Sequence, residues 1–371
     1  MASLANLWAS LTAATTTTAT APPLLIALVL VILAMAWSPF VSSSPRWNPA
    51  GRNVLITGGS QGLGLALAQL LASQGSNVTI CARTESKLQS AVDSIRASAK
   101  TSAPSQRIDY VAADISTFAG AQHVVASCPV VPDTVFCCAG GAKPGFFLSQ
   151  TEADFQAGIK TDYLTCLSTA HAAANAMARA YPVVASGSGD KAAASTPAPR
   201  PKIVLVSSML GFMGLVGYSQ YTPMKHAIRG LAESLRSELL LYGIDVHAYF
   251  PATILSPGFD EENKTKPKIT RDIEGADEGL TPEQCAKKLV RGLQANNFFI
   301  TSDTVTDLFR SSALGSAPTN NVVLDRIMAV VAWIALPIWR HFEADKAIKA
   351  HRQQHYEDLG LSSSSSSSSS S

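Results

Sequence analysis

A phenol and an amine stand four residues apart in the stretch SQYTPMKHAIRGLAESL, as Tyr221 and Lys225. On an α-helix residues i and i+4 are neighbours, so a helix here would set the two side chains against each other. The periodicity is helical: Ala227, Ile228, Leu231, Leu235 and Leu239 form an apolar stripe, with Arg229, Glu233, Arg236 and Glu238 polar between them. Pro223 fits only near a helix N-terminus, where its missing N–H costs little, so the pair belongs in the first turns. A free phenol has a pKa of about 10, and lowering it by roughly three units takes about 4 kcal/mol of preferential anion stabilisation, which an adjacent ammonium in a dry cleft can supply. Tyr221 would then be a proton donor usable at neutral pH. The spacing alone is common, and two surface residues would give the same pattern.

A second constellation lies upstream. The run Asn53–Thr57 leads into Thr57-Gly58-Gly59-Ser60-Gln61-Gly62-Leu63-Gly64, which opens a helical pattern. Glycines at 58, 62 and 64 permit a tight turn, and the loop, with Ser60, Gln61 and Leu63, can bring backbone N–H groups to a pyrophosphate at the positive end of a helix. In folds that bind NAD an acidic residue ~20 positions on, at the end of the second strand, holds the ribose 2′-hydroxyl. Here that place reads Cys81-Ala82-Arg83. With no carboxylate to repel it, a 2′-phosphate could be held by Arg83, with Lys87 one turn along as a second cation, so NADPH is the expected cofactor. Arg83 as a plain surface charge is the competing reading.

These groups need a scaffold. From residue 53 short β-branched runs alternate with helical patterns: NVLIT, NVTICA, IDYVAAD and TVFCCAG, then a long Ala-rich helix at about 151–181, then KIVLVSS, the Tyr221 helix, DVHAYF, and a last helix before NNFFIT. Such alternation predicts right-handed βαβ units and an α/β fold of the Rossmann type, a doubly wound parallel sheet of about seven strands over residues 50–305.

The ordered set of motifs resembles the short-chain dehydrogenase/reductase family over about 53–301. In that family TGxxxGxG binds the dinucleotide, an Asp after the third strand contacts the adenine, N-A-G follows the fourth strand, and a Ser stands 13 residues before the Tyr of YxxxK. This chain offers Asp114, Cys138-Ala139-Gly140 with Cys for Asn, and Ser208. The resemblance implies that Ser208, Tyr221 and Lys225 are catalytic, with Tyr221 and Lys225 also touching the cofactor. The family's catalytic asparagine aligns with Asp162, which is either a relay carboxylate or a plain helix residue. After the sixth strand, Pro251–Phe259 matches the place where the family closes a lid. The run PGFDEENKTKPKITRDIEG narrows the resemblance to 3-ketodihydrosphingosine reductases, which implies NADPH-dependent reduction of that ketone to dihydrosphingosine. Another lipid ketone, a steroid or retinal, is the alternative, and an NADPH-binding pseudoenzyme is a third reading. A sphingoid ketone carries an amine beside its carbonyl, and Asp260, Glu261 and Glu262 beside Phe259 are the acids available to pair with it; a solvated surface role is expected for all three, and the amine's partner stays open.

Composition sets the limits. The chain has 371 residues and a net charge of +2, and its Lys and Arg are dispersed, so nothing suggests a nucleic-acid partner. The six cysteines show no metal-ligand spacing and read as reduced thiols. No charged residue occurs from Met1 to Pro45, and the segment at about 22–41 is long and apolar enough for a transmembrane anchor. A cleaved signal peptide is the competing reading, but the basic start it needs is absent. Arg46 and Arg52 follow the apolar segment, which places the body in the cytosol, on the endoplasmic reticulum membrane that the resemblance implies. Within a C-terminal segment at 306–361, Ile327–Trp339 is a second apolar run that reads as re-entrant, interfacial or a buried terminal helix. Residues 184–201 and the serines at 362–371 are expected to be disordered. A membrane and a long-chain sphingoid ketone are the expected partners, and a homo-oligomer stays open.

Overall fold

Seven short runs rich in Val, Ile and Leu form the strands expected of them: β1 (Asn53–Thr57), β2 (Asn77–Ala82), β3 (Ile108–Ala112), β4 (Thr134–Cys137), β5 (Lys202–Val206), β6 (Asp245–Phe250) and β7 (Phe299–Thr301). All pair in parallel, in the order β3-β2-β1-β4-β5-β6-β7. Parallel strands are covered on both faces, which explains their near-continuous apolar sequence. The computed structural model describes residues 47–99, 106–182, 200–275 and 279–359. The segment 22–41, expected to be an anchor, and the serines at 362–371 lie outside the described residues, as does most of the insertion. Arg200 and Pro201, expected within the insertion, instead belong to the body. Arg200 pairs with Asp245 at 3.3 Å, and the Pro201 carbonyl accepts the Asp245 N–H.

Helices α1 (Gly62–Ser73) and α2 (Glu85–Ser98) cover one face of the sheet, and α3 (Phe118–Ala126) covers the other. The long helix expected at 151–181 is one rod in three parts: α4 (Glu152–Gly158), a wide π-turn at Ile159–Leu164, and α5 (Thr165–Ala180). Thr151 and Asp154 form a capping box at its start. Then come α6 (Thr222–Glu238), two lid helices α7 (Pro257–Thr265) and α8 (Lys268–Glu274), and α9 (Pro282–Gln294), which packs on α1. Leu67, Leu71, Leu88 and Leu289 fill the core under α1, α2 and α9, while Ile203, Ile228 and Phe250 fill the other. Each such side chain contributes about 1.5–3 kcal/mol by its burial.

The C-terminal segment joins this body. On α10 (Thr304–Ser312), Arg310 is buried and its guanidinium grips both oxygens of Asp325 at 2.5 and 3.1 Å. Asp325 opens α11 (Val322–Trp339), where Met328, Ala332, Ala335 and Trp339 form the buried stripe. The opposite face, with Ile327, Val330, Trp333, Ile334 and Ile338, is apolar and exposed. α11 therefore differs from an ordinary buried helix, whose outer face would be polar. Helices α12 (Asp345–Ala350) and α13 (Arg352–Asp358) follow.

Candidate active site

Strand β1 is flanked by β2 on one side and β4 on the other, so successive crossovers leave a crevice at their C-terminal ends, the usual ligand position in such sheets. Gly58 turns the chain there with φ 67°, in the left-handed region where only glycine is comfortable, and a Cβ would collide with the Ala139 backbone. The Ala139 N–H donates to Thr57 Oγ at 3.3 Å, tying the ends of β1 and β4. Gln61 precedes α1 without capping it through its side chain, leaving the first amides of the helix to an anion.

A cavity of about 490 Å³ opens from this crevice. Gly58, Ser60, Gln61, Gly62 and Leu63 line it, as do Arg83, Lys87 and Asp114. Gly64 does not: it lies under the loop, its backbone packed on the Gly58 carbonyl, so its part is to let loop and helix approach. Arg83 and Lys87 are exposed on the rim, with Lys87 Nζ 3.5 Å from Gln61 Oε1. Asp114 accepts from the Ser116 hydroxyl at 2.6 Å and N–H at 3.0 Å, and these bonds hold its carboxyl below the usual range, with Lys160 3.3 Å away adding to the effect. Cys138 lines the same wall, where burial pushes its thiol up to about 12 and keeps it neutral.

Ser208, Tyr221 and Lys225 meet in the same cavity. Tyr221 stands immediately before α6, and Pro223 lies in the first turn, as the sequence requires. Ser207 holds β5 to this helix by donating to the Lys225 carbonyl at 2.8 Å. Lys225 Nζ lies 5.0 Å from the centre of the Tyr221 ring and 3.3 Å from Asp162 Oδ1. The π-turn carries Asp162 inward to full burial, where it also accepts the Gly141 N–H at 3.1 Å. Gly140 leaves room for this: a Cβ there would crowd both Asp162 and Lys225.

Electrostatics correct one expectation. Burial pushes the Tyr221 pKa up rather than down; Lys225 and Ser208 oppose the rise, while Asp162 and Glu262 add to it. The phenol thus holds its proton in the free protein. Burial alone would lower Lys225, but Tyr221 and Asp162 overcome that and hold its pKa above the usual value. Burial also raises Asp162, against the pull of Lys225. A neutral phenol beside a fixed ammonium can give a proton to a developing oxyanion, and the ammonium then stabilises the phenolate left behind.

Several wall residues were not singled out by sequence reasoning. Tyr218, Glu274, Phe309 and Trp339 all line the cavity, the last two brought in by α10 and α11. Of the acids next to Phe259, Asp260 and Glu261 are exposed as expected, whereas Glu262 faces the cavity.

Comparison with known proteins bears on this geometry. The family model of the short chain dehydrogenases matches residues 52–267. The 3-ketodihydrosphingosine reductase TSC10 of Cryptococcus neoformans (strain B-3501A) is 38% identical over 344 residues, covering 91% of this chain and 96% of that protein. The 3-ketodihydrosphingosine reductase ksrA of Aspergillus fumigatus is 33% identical, covering 81% of this chain and 84% of that protein. Among solved structures, levodione reductase superposes with a TM-score of 0.57 at 21% identity, over 68% of this chain and 96% of the other. A short-chain dehydrogenase from Sphingobium yanoikuyae in complex with NADPH gives 0.55 at 20%, over 67% and 87%.

Proposed function

Because the chain belongs to the short-chain dehydrogenase family, we propose that it reduces 3-ketodihydrosphingosine to dihydrosphingosine with NADPH, a step of sphingolipid biosynthesis. The observation that carries this reading is the convergence of Ser208, Tyr221 and Lys225 on the cavity that the Gly58–Leu63 loop also lines, in a chain so similar to reductases named for that ketone.

The cradle fits a nicotinamide dinucleotide. The uncapped first turn of α1 and the turn at Gly58 suit a pyrophosphate, and exposed Arg83 and Lys87, with no carboxylate at the end of β2, suit a 2′-phosphate. NADPH, when bound, supplies the hydride. The chain's own residues do the rest. Ser208 donates a hydrogen bond to the ketone oxygen, Tyr221 gives that oxygen its proton, and Lys225 stabilises the resulting phenolate. Asp162 fixes the Lys225 ammonium through their 3.3 Å contact.

A substrate that partitions into lipid suits a membrane-associated enzyme. α11 belongs to the single helical run among the described residues, Val322–Asp358, that is long and apolar enough to cross a membrane, its most apolar 18-residue stretch having a mean hydropathy of 1.9. Its inner stripe packs on the body and its Trp339 reaches the cavity wall, so the exposed Trp333 face is best suited to lie in the membrane interface. An anchor at 22–41, followed by Arg46 and Arg52, would hold the catalytic body on the cytosolic face of the endoplasmic reticulum. Protease added to intact microsomes should digest the catalytic body, and full protection would overturn the orientation. For the reaction itself, purified protein should oxidise NADPH when given 3-ketodihydrosphingosine. Ready reduction of a steroid ketone or of retinal, with none of this substrate, would reassign it.

A further inference from the structure

The lid brings to the cavity a second set of charged groups that hydride transfer does not use. Glu262 on α7 and Glu274 at the end of α8 both line it. Between them Lys266 is buried, its Nζ 3.1 Å from Glu262 and 2.8 Å from Glu274, and it lies over the Phe259 ring at 4.6 Å. The Tyr218 hydroxyl contacts Glu262 closely and Glu274 at 2.9 Å. Burial and the two carboxylates push its pKa up, so it stays a neutral donor, and with a single proton it can satisfy only one of them.

Two carboxylates therefore share one ammonium and one phenolic proton. A device that only pinned the lid would be complete with one carboxylate for Lys266. The second leaves excess negative charge facing the cavity, close to the reacting groups. The Tyr218 and Tyr221 rings are 5.9 Å apart, and the Glu262 charge is felt at the Tyr221 phenol. Beyond the acids the wall is apolar, with Ile273, Phe309 and Trp339.

We propose that Glu262 and Glu274 form the subsite that receives a primary ammonium on the carbon next to the ketone, and so decide which ketones are reduced. The inference rests on the function proposed above, since 3-ketodihydrosphingosine carries an amine beside its carbonyl and an alkyl tail that would run along Ile273, Phe309 and Trp339.

The test compares this amino ketone with the same long-chain ketone lacking the amine, in the unmodified chain and in Glu262→Gln and Glu274→Gln. Losing a charged partner should lower kcat/KM for the amino ketone roughly 10- to 100-fold in each variant, chiefly through KM, and change the amine-free ketone by less than about threefold. The unmodified chain should itself prefer the amino ketone by about 10-fold or more. Equal losses on both ketones would make the carboxylates lid fasteners and overturn the subsite. So would equal efficiency of the unmodified chain on both, a comparison that stands even if a variant fails to fold. An unmodified chain that binds NADPH yet reduces neither ketone would instead overturn the proposed function, and the subsite with it.

Discussion

Asp162→Asn isolates the electrostatics of proton transfer, because it removes a charge while keeping the shape and an oxygen for the Gly141 N–H. The carboxylate is 3.3 Å from Lys225 Nζ, which is 5.0 Å from the Tyr221 ring centre, so the carboxylate lies within about 8 Å of that ring. With an effective dielectric constant of about 20, a charge about 8 Å away changes the cost of a phenolate by ~2 kcal/mol, or about 1.5 pKa units, and screening by cavity water brings the expectation to about one unit. The sign follows from the direction of the reaction. Reduction needs the phenol protonated, so activity is lost as pH rises through its pKa. Asp162 raises that pKa, so neutralising it should move the alkaline limb of kcat down by about one pH unit. The assay is kcat against pH in the reductive direction, with melting temperature and NADPH affinity as controls for intact fold and cradle. An alkaline limb that stays in place or moves up, with both controls unchanged, would refute the argument that Asp162 acts on Tyr221 through charge.

Three further outcomes are expected. Tyr221→Phe should keep fold and NADPH binding but lose at least ~100-fold in turnover, the low end for a general acid, and wild-type-like turnover would sink the mechanism. Arg83→Ala should narrow the preference for NADPH over NADH by weakening NADPH by about 1.5–3 kcal/mol, measured by titration of both cofactors; an unmodified chain with equal efficiency on both would contradict it. His247 is buried with Nδ1 2.8 Å from the Asn297 carbonyl and Nε2 3.3 Å from Lys202 Nζ, so a second ring proton would face an ammonium. Burial foremost, then Lys202, pulls its pKa down to about 4. The stability it lends is present above an unfolded value of about 6.5 and is lost as pH falls toward 4, up to about 3 kcal/mol. His247→Gln should therefore flatten the acid side of a chemical-denaturation profile, and an unchanged slope would contradict the assignment.

The sheet was legible because parallel strands are buried on both faces, which leaves unbroken runs such as NVLIT and KIVLV. Tyr221 and Lys225 were legible because a helix turns i, i+4 spacing into contact, and Pro223 fixed their place in the first turns. Asp162 was marked only by its alignment with the family's asparagine, and its choice between relay and plain helix residue stayed open, since its inward turn depends on the π-turn at 159–164, where one extra residue rotates the helix and no local propensity marks it. Nor was the Tyr221 pKa: a pairwise reading counts Lys225 but misses the burial, Asp162 and Glu262 that outweigh it. Glu262 and Glu274 look like ordinary acids in a charged segment until α7 and α8 fold back over the cavity. In α11 the buried stripe of Met328, Ala332, Ala335 and Trp339 has helical spacing, but the outer face is apolar too, so hydrophobicity alone hid which side packs.

The decisive experiment supplies 3-ketodihydrosphingosine and NADPH to the purified full chain in detergent and follows cofactor oxidation together with the lipid product. A ketone reductase with Tyr221 as its proton donor should consume NADPH and form dihydrosphingosine in equal amounts, with both abolished or reduced at least ~100-fold in Tyr221→Phe. Folded protein that binds NADPH but forms no dihydrosphingosine would contradict it.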